Sequence, residues 1–385
     1  MKAVILRILR VVGLGLAGLL AATGAWALFW TLYNPRVPPS EPVVVRRPAP
    51  AGDITVLLAG DFAPTDAAMP SLREHGYRWP YEPTSGIVRA ADVAFANLEA
   101  PVTESDEPFP LYKKYIYKVD PIATEAWRWL GLDVVSLANN HADDYRDRGV
   151  LDTVRYLDAA GIAHAGAGAD ETAARRAVIF DVGGTRIGFL AYLEDRVVYN
   201  LYFRSYAVGG RVGCARYVRA DVEQDVRRLR PQVDVLIVSV HWGDNYVGVT
   251  ADQEEEGRWL AELGVDVIAG HHAHDVQPVE VRGRSVIFYS LGNYAWGTPG
   301  WPQLRVGFLA RLRISPWRGR DGGRVEGVEL LPIVTQNAIV HFRPRPLRPS
   351  ELEWLDPFLA GSRARGTELT LDGTTIRVEL PGGGG

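Results

Sequence analysis

Five short apolar runs, each ending abruptly at polar residues, constrain the fold of this chain more than any other feature. They are rich in Val, Ile and Leu, which is typical of strands buried on both faces, and they occupy residues 54–59, 93–96, 134–138, 235–240 and 265–269. Helical patterns lie between several of them, at residues 122–130, 150–160, 220–229 and 253–263. This alternation predicts an α/β fold with a largely parallel or mixed sheet.

The pattern changes toward the C-terminus. Residues 306–314 and 325–331 alternate between apolar and polar side chains, which predicts antiparallel strands. Residues 350–359 are expected to form a short helix. Residues 369–380 are expected to form a terminal hairpin that turns at Asp372-Gly373.

The N-terminal segment contains a run from residue 11 to 33 without a charged side chain, preceded by Lys2, Arg7 and Arg10. A helix needs roughly 20 residues to cross the hydrocarbon layer of a membrane, and positive charges on its N-terminal side favour a cytoplasmic N-terminus. We predict a single-pass helix that holds the globular domain on the outer side of the cell membrane. The small-x-small sequence Ala25-Trp26-Ala27 leaves an alternative open, secretion after signal cleavage.

The segment between this run and the first strand is rich in proline and has no helical periodicity, which predicts an extended, semi-rigid tether. The predicted segments are, in chain order, a cytoplasmic basic segment (1–10), a transmembrane signal-anchor helix (11–33), a Pro-rich linker (34–52), the principal domain (53–300), C-terminal strands and a helix that complete or flank it (301–380), and a glycine tail (381–385).

Composition excludes several classes of protein. The formal net charge is −4 and no block of like charge stands out, so nothing indicates a nucleic-acid surface. The single cysteine, Cys214, excludes an internal disulfide framework and a cysteine-based zinc or iron–sulfur site.

Polar side chains follow each of the five apolar runs. They are Asp61, Glu99, Asn140, His241 and the pair His272 and His274. In open α/β sheets, ligands bind where the carboxyl ends of the strands converge. Each residue alone has a structural explanation, such as a helix cap for Asp61 or a turn for Asn140. Together they offer oxygen and nitrogen donors without a thiolate, which predicts a site for a borderline divalent metal.

These segments also carry a resemblance to a known family. The motifs are Gly60-Asp61, Asn97-Leu98-Glu99, Ala138-Asn139-Asn140-His141, His241-Trp242-Gly243, Gly270-His271-His272-Ala273-His274 and Tyr289-Ser290-Leu291-Gly292-Asn293. Over residues 54–332 the chain resembles the CapA family of bacterial capsule or poly-γ-glutamate synthesis proteins, whose fold is similar to calcineurin-like metallophosphoesterases. The resemblance implies a four-layer α-β-β-α sandwich with two divalent metal ions, Mn, Fe or Zn, at the strand ends.

The resemblance also implies roles for individual residues. Asp61 looks like the ligand of the first motif, Glu99 stands at the bridging position, and Asn140 would bind the second metal. His141 would be the general acid for the leaving group. Three histidines would complete the two metal shells: His241, His272 and His274.

The chain departs from the family pattern at three positions. Ala63 stands where phosphoesterases usually have a histidine, Arg146 where a glycine is common, and Asn245 where a glutamate is usual. Ser290 and Asn293 are candidate substrate contacts, although this segment could equally serve to turn the chain. Arg146 is a candidate contact for an anionic polymer.

Three functional hypotheses follow. The first is a metal-dependent hydrolase or transferase, anchored in the membrane and acting on a phosphorylated or polyanionic envelope substrate. The second is a non-catalytic assembly or export partner of a membrane polymer synthase. The third is a metal amidohydrolase that trims the polymer. The ligand set with His141 favours catalysis, whereas the missing histidine at Ala63 favours the second hypothesis.

Overall fold

The computed structural model of the chain describes residues 37–298, 305–316 and 323–381. The predicted basic segment, the predicted signal-anchor helix and residues 382–385 of the glycine tail lie outside these ranges. In the part of the chain that is described, no helix is long and apolar enough to cross a membrane. From Pro39 onward the chain forms one unit.

The strands follow one another along the chain as β1 (Val43–Arg47), β2 (Ile54–Ala63), β3 (Val93–Leu98), β4 (Val134–Ser136), β5 (Ala163–Ala165), β6 (Ala167–Gly168), β7 (Val178–Val182), β8 (Thr185–Leu193), β9 (Gly213–Cys214), β10 (Val235–His241), β11 (Val267–His271), β12 (Val276–Arg282), β13 (Ser285–Leu291), β14 (Asn293–Trp296), β15 (Val306–Ile314), β16 (Val325–Val334), β17 (Arg345–Pro346), β18 (Leu369–Asp372) and β19 (Thr375–Val378).

The α-helices are α1 (Met69–His75), α2 (Ser85–Arg89), α3 (Ala123–Leu130), α4 (Arg146–Ala160), α5 (Glu171–Ala174), α6 (Arg219–Leu229), α7 (Ala251–Glu262), α8 (Asn337–Val340) and α9 (Asp356–Arg363). Short 3-10 helices occupy Asp66–Ala68, Trp79–Tyr81, Arg230–Gln232 and Pro349–Leu355, and a π-helix occupies Val198–Phe203.

Within the described residues the strands form two large sheets. The first has the order β1-β7-β8-β10-β11-β13-β12, and the second has the order β18-β19-β16-β15-β2-β3-β4-β5, with β14 beside β2 and β17 beside β16. A small third sheet pairs β6 with β9. The two large sheets share a core, in which Phe95 of β3 stacks on Phe189 of β8 with 5.8 Å between ring centroids.

Helices cover the outer faces of the sheets. On the first sheet, Val222 and Val226 of α6 and Leu260 of α7 are buried in a second core with residues of β10 and β11. On the second sheet, Trp127 of α3 is fully buried and its ring lies 5.2 Å from that of Phe62. The α/β class predicted from the sequence is confirmed, and the fold is an α/β sandwich.

The C-terminal strands extend the second sheet, because β15 pairs antiparallel with both β2 and β16. The predicted hairpin forms between β18 and β19, with Gly373 at a φ of 61° in its turn. The prediction of one helix over 350–359 is wrong in its type and bounds, because two helices share this segment. A 3-10 helix ends at Leu355 and α9 begins at Asp356. Pro357 stands in the first turn of α9, where a proline is favoured because that amide has no partner within the helix.

The predicted linker over 34–52 needs a correction in its interior. Val43–Arg47 forms strand β1 and pairs parallel with β7 at the edge of the first sheet. The three consecutive valines suit a strand, and Pro42 and Pro48 lie just outside it, since proline cannot donate to a sheet ladder. An extended tether is therefore not the structure of the whole segment.

The parallel part of each sheet positions the polar residues. β2, β3 and β4 are adjacent and parallel in the second sheet, and β8, β10, β11 and β13 are adjacent and parallel in the first. The carboxyl ends of parallel neighbours lie at the same edge of a sheet, where α/β proteins bind ligands.

Candidate metal centre

Asp61 reaches the centre through an irregular strand. The pairing of β2 with β3 shifts register between Leu58 and Asp61, and such bulges re-aim side chains. A Cβ atom on Gly60 would lie 1.9 Å from the carbonyl oxygen of Gly292. The Asp61 amide donates to that same oxygen at 2.9 Å. Only glycine at position 60 allows the two chain segments to approach this closely, and this contact fixes Asp61.

The loop after β11 holds its histidines in unusual backbone conformations. His272 has a φ of 93° and His274 a φ of 57°, a region that costs non-glycine residues free energy and is concentrated at functional sites. The start of the loop packs closely against β13, because a Cβ on Gly270 would lie 2.0 Å from the Tyr289 carbonyl oxygen. The His272 amide also donates to Asp61 Oδ2 at 3.0 Å.

Two buried groups of side chains could each hold a metal ion. Glu99, His241 and His272 form one group, and Asp61, Glu99 and His274 form the other. Within each group the ligand atoms all lie within 4.8 Å of one another. Glu99 belongs to both groups, so its carboxylate could contribute to the binding of two ions.

Asn140 adjoins the first group. Its Oδ1 lies 2.8 Å from His241 Nε2, and that nitrogen is 3.5 Å from Glu99 Oε1. All six ligands predicted from the strand ends are therefore brought together, and their roles as ligands stay predictions.

Glu99 provides the test of whether these residues fit a metal. Both of its carboxylate oxygens are buried and have no hydrogen-bond partner. Burial raises the pKa of Glu99 well above its usual value, and the nearby Asp61 and Asp144 raise it further. A buried carboxylate without a partner is costly, and divalent cations supply the missing charge and bonds. The donor set therefore fits divalent metal ions.

The histidines are in the protonation state that metals require. Burial, followed by the effect of the neighbouring His274, lowers the pKa of His272 to about 3. Burial also lowers the pKa of His241 well below its usual value, followed by the effect of His272. Both imidazoles are neutral near pH 7, and neutral imidazole is the form that binds metals.

Two asparagines orient the ligands. Asn293 Oδ1 lies 2.9 Å from His274 Nδ1, which leaves His274 Nε2 facing Glu99 Oε1 at 3.8 Å. Asn97 Nδ2 donates to Asp61 Oδ1 at 2.8 Å and lies 3.3 Å from His241 Nδ1. Hydrogen bonds of this kind fix the ring orientation and the binding nitrogen of metal-ligating histidines.

His141 belongs to a separate chain of contacts beside the ligands. Its Nδ1 lies 2.7 Å from Asp144 Oδ2, which also accepts the Tyr117 amide at 2.6 Å. Lys113 forms an ion pair with Asp144 Oδ1. Burial alone would raise the pKa of Asp144, but His141 and Lys113 lower it on balance. An ionised Asp144 holds the His141 ring with Nε2 available to a ligand.

Residues 55–298 match the family described as bacterial capsule synthesis protein PGA_cap. The chain belongs to this family. One similar protein is a probable polyglutamine synthesis accessory protein of Mycobacterium tuberculosis, which is 34% identical over 294 residues, or 72% of this chain and 75% of the relative. Another is the capsule biosynthesis protein CapA of Bacillus anthracis, which is 25% identical over 76% of this chain and 69% of the relative. The PGA biosynthesis protein CapA of Bacillus subtilis is 27% identical over 69% and 67%. The CapA resemblance is confirmed.

Two predicted substrate contacts of this PGA_cap protein have other contacts in the structure. Ser290 Oγ accepts the Gly292 amide at 3.1 Å, which is the chain-turning role that the sequence left open. Arg146 is half-exposed, and its Nε donates to the Pro108 carbonyl at 3.0 Å. Asn293, the third predicted contact, is engaged with His274.

Sequence reasoning passed over other residues of the centre. His271 is fully buried, with Nδ1 3.1 Å from Asp61 Oδ1. Asn97 lies near the end of β3 and two residues before Glu99, and this spacing is the one that strands use to place side chains on one face. Asp144 stands three residues after His141, at a spacing that a single turn brings together. Nothing in the sequence indicates that Lys113 lies close to His141 or Asp144.

Ala63 is the point where the PGA_cap centre of this chain lacks a donor. It lies at the end of β2, is buried, and carries only a methyl group. The group of Asp61, Glu99 and His274 would therefore offer three protein ligands, whereas Asn140 would add a fourth to the other group. This asymmetry predicts unequal affinity for the two ions.

Proposed function

We propose that this PGA_cap protein is a membrane-anchored, metal-dependent hydrolase of capsule or poly-γ-glutamate synthesis, acting on a phosphorylated or polyanionic envelope substrate. The observation that carries the proposal is Glu99, a buried carboxylate without a hydrogen-bond partner that is common to two groups of metal-binding side chains. The two sheets of the protein, with helices on their outer faces, fit the four-layer sandwich of the calcineurin-like metallophosphoesterases.

Two divalent ions would be held by the two groups. The group of Glu99, His241 and His272, with Asn140, would hold one ion, and the group of Asp61, Glu99 and His274 would hold the other. Oxygen and imidazole donors without thiolate suit Mn, Fe or Zn. Such a pair lowers the pKa of a water molecule and stabilises the oxygens of a phosphoryl or acyl group during displacement.

The chain's own residues would perform the proton transfer. His141 lies beside Asn140, and its Nδ1 is held by Asp144, so in the doubly protonated ring Nε2 would be the atom that gives a proton to the departing oxygen. Lys113 donates to the Asn140 carbonyl at 2.5 Å and also pairs with Asp144. It thereby ties the metal-binding segment to the proton donor.

A second candidate function is a non-catalytic partner in the assembly or export of the polymer, associated with the membrane subunits of a polymer synthase. Ala63 favours it, because a centre that lacks one donor could keep a structural ion without turnover. The Mycobacterium tuberculosis relative is named as an accessory protein of polyglutamine synthesis, which also agrees with this function.

A substrate screen separates these functions. We expect the full chain, reconstituted with Mn, Fe or Zn, to release phosphate or alcohol from phosphoesters, and a chelator to abolish this release. The screen measures phosphomonoesters, phosphodiesters and poly-γ-glutamate side by side. Cleavage of polyglutamate alone would identify an amidohydrolase. A folded, metal-loaded protein that turns over none of them would overturn the hydrolase proposal in favour of the assembly partner.

The membrane anchor is tested by fractionation. We expect the full chain to stay with the membrane fraction through high-salt and alkaline washes, because an uncharged run as long as that at 11–33 is sufficient to span the hydrocarbon layer. Removal of residues 1–36 should release the protein. A shortened form outside the cell would favour the alternative of signal cleavage, and a full-length protein that washes off would contradict both.

A further inference from the structure

Exposed apolar side chains cluster in three segments. Among the described residues, nine of the sixteen exposed large apolar side chains lie within 111–115, 197–202 and 246–247. Tyr112 is 79% exposed, and Val197 and Leu201 are each 75% exposed. We call these three segments the apolar rim. Contiguous exposed apolar surface on a protein marks a place where something binds.

The three segments contact one another directly or through their neighbours. Tyr202 Oη donates to the Tyr112 carbonyl at 3.0 Å, which joins the first segment to the second. The residue before the second segment, Arg196, donates to the Gly243 carbonyl and pairs with Asp244 at 2.9 Å. These contacts hold the second segment close to the third, so the apolar rim is formed by neighbouring parts of the chain.

The apolar rim borders the candidate metal centre at both of its ends. Beyond the first segment, the ring of Tyr117 lies 4.4 Å from the ring of His141. In the third segment, the ring of Tyr246 lies 5.8 Å from the ring of His274. Trp296 contacts both sides, since its ring lies 4.4 Å from that of His274 and 5.5 Å from that of Tyr117. Aromatic side chains therefore connect the candidate metal centre with the first and third segments of the apolar rim.

We propose that the substrate of this centre is amphiphilic, a phosphate ester whose long hydrocarbon chain lies on the apolar rim. The inference rests on the proposed hydrolase function and names its substrate class. A ligand that matches the surface is anionic where it meets the buried ligands and apolar where it leaves them. Hydrolysis breaks the bond between phosphorus and the ester oxygen. Water supplies the hydroxyl group on phosphorus and the proton on the released alcohol.

The position of the rim favours such a ligand over a docked protein. A protein partner needs a surface that it can cover without blocking the site, whereas this surface adjoins the candidate metal centre and continues toward it through Tyr117 and Tyr246. A hydrocarbon chain attached to the reacting phosphate uses the surface only while the phosphate is bound.

Binding of two alkylphosphonates tests the proposal without relying on turnover, because their phosphorus–carbon bond resists hydrolysis. We expect the manganese-loaded full chain to bind dodecylphosphonate at least about thirtyfold more tightly than butylphosphonate, since each buried methylene adds to binding. The triple variant Tyr112→Ser, Val197→Ser, Leu201→Ser should lose about tenfold or more of this preference. Titration calorimetry below the aggregation concentration measures it.

The matched control replaces Ile122, Ile339 and Leu371 by Ser, which are also exposed but lie elsewhere, and it should keep the full preference. Equal affinity for both phosphonates, or equal binding of the neutral dodecyl maltoside, would overturn the proposal. Chain-length preference without phosphoesterase activity would keep the amphiphile site and remove the proposed hydrolysis. Phosphoesterase activity on short esters without a chain-length preference would keep the proposed hydrolysis and remove the amphiphile site. Vesicles with and without phosphatidic acid distinguish a bilayer source from a free amphiphile.

Discussion

Replacing Glu99 by alanine is expected to remove both metal ions from the protein, whereas His241→Ala and His274→Ala should each remove one. Glu99 is common to both groups of ligands, while each histidine belongs to a single group. Elemental analysis of the full chain should therefore give about two ions for the unmodified protein. It should give close to none for Glu99→Ala and about one for either histidine variant.

His164→Ala is the matched control for these variants. His164 is also a buried histidine, but it pairs with Asp158 at 3.2 Å and belongs to neither group of ligands. Its loss should leave the metal content unchanged. If Glu99→Ala folds with a normal circular dichroism spectrum and still retains both ions, the shared-carboxylate centre is excluded. The ion that remains in His241→Ala should be bound more weakly than the ion that remains in His274→Ala. The group left intact in His241→Ala has only three protein ligands, because Ala63 supplies no donor.

The position of the centre was predictable from the sequence because it depends on a simple rule of sheets. Buried strands read as apolar runs, and the residue after each run lies at a carboxyl end. This rule places Asp61, Glu99 and His241 at strand ends, while the packing of the two sheets and the bulge in β2 bring them together. The α/β class and the antiparallel C-terminal strands followed from the same periodicities.

What the sequence did not contain is the pairing of residues that are distant along the chain. Asn293 was expected to contact substrate, yet it holds His274, and the choice depends on the left-handed conformation of the loop after β11. Lys113 pairs with Asp144 only because a long loop folds back over the centre. Val43–Arg47 resembled a linker between prolines, and its partner β7 decides that it is a strand, since strand preference depends on tertiary context.

His141→Ala is expected to lower kcat for an alkyl phosphate by about a hundredfold to ten-thousandfold without changing metal content. The structure places His141 beside the ligands but in neither ligand group, with its Nδ1 held by Asp144. A general acid matters most when the departing oxygen is strongly basic. The loss should therefore be small for an aryl phosphate such as p-nitrophenyl phosphate, whose leaving group departs without protonation. Steady-state kinetics with both substrates measures the difference.

Asp144→Asn separates orientation from proton donation at the same histidine. An asparagine keeps the size of the side chain but not the charge that pairs with Lys113 and holds His141, so Asp144 acts as a positioning residue. Its loss should reduce kcat on the alkyl ester less than His141→Ala does, with the same sparing of the aryl ester. An equal loss on both esters in His141→Ala, at normal metal content, would mean that His141 binds substrate instead of protonating it. The leaving-group dependence, more than the size of the loss, therefore decides whether this centre has a dedicated acid.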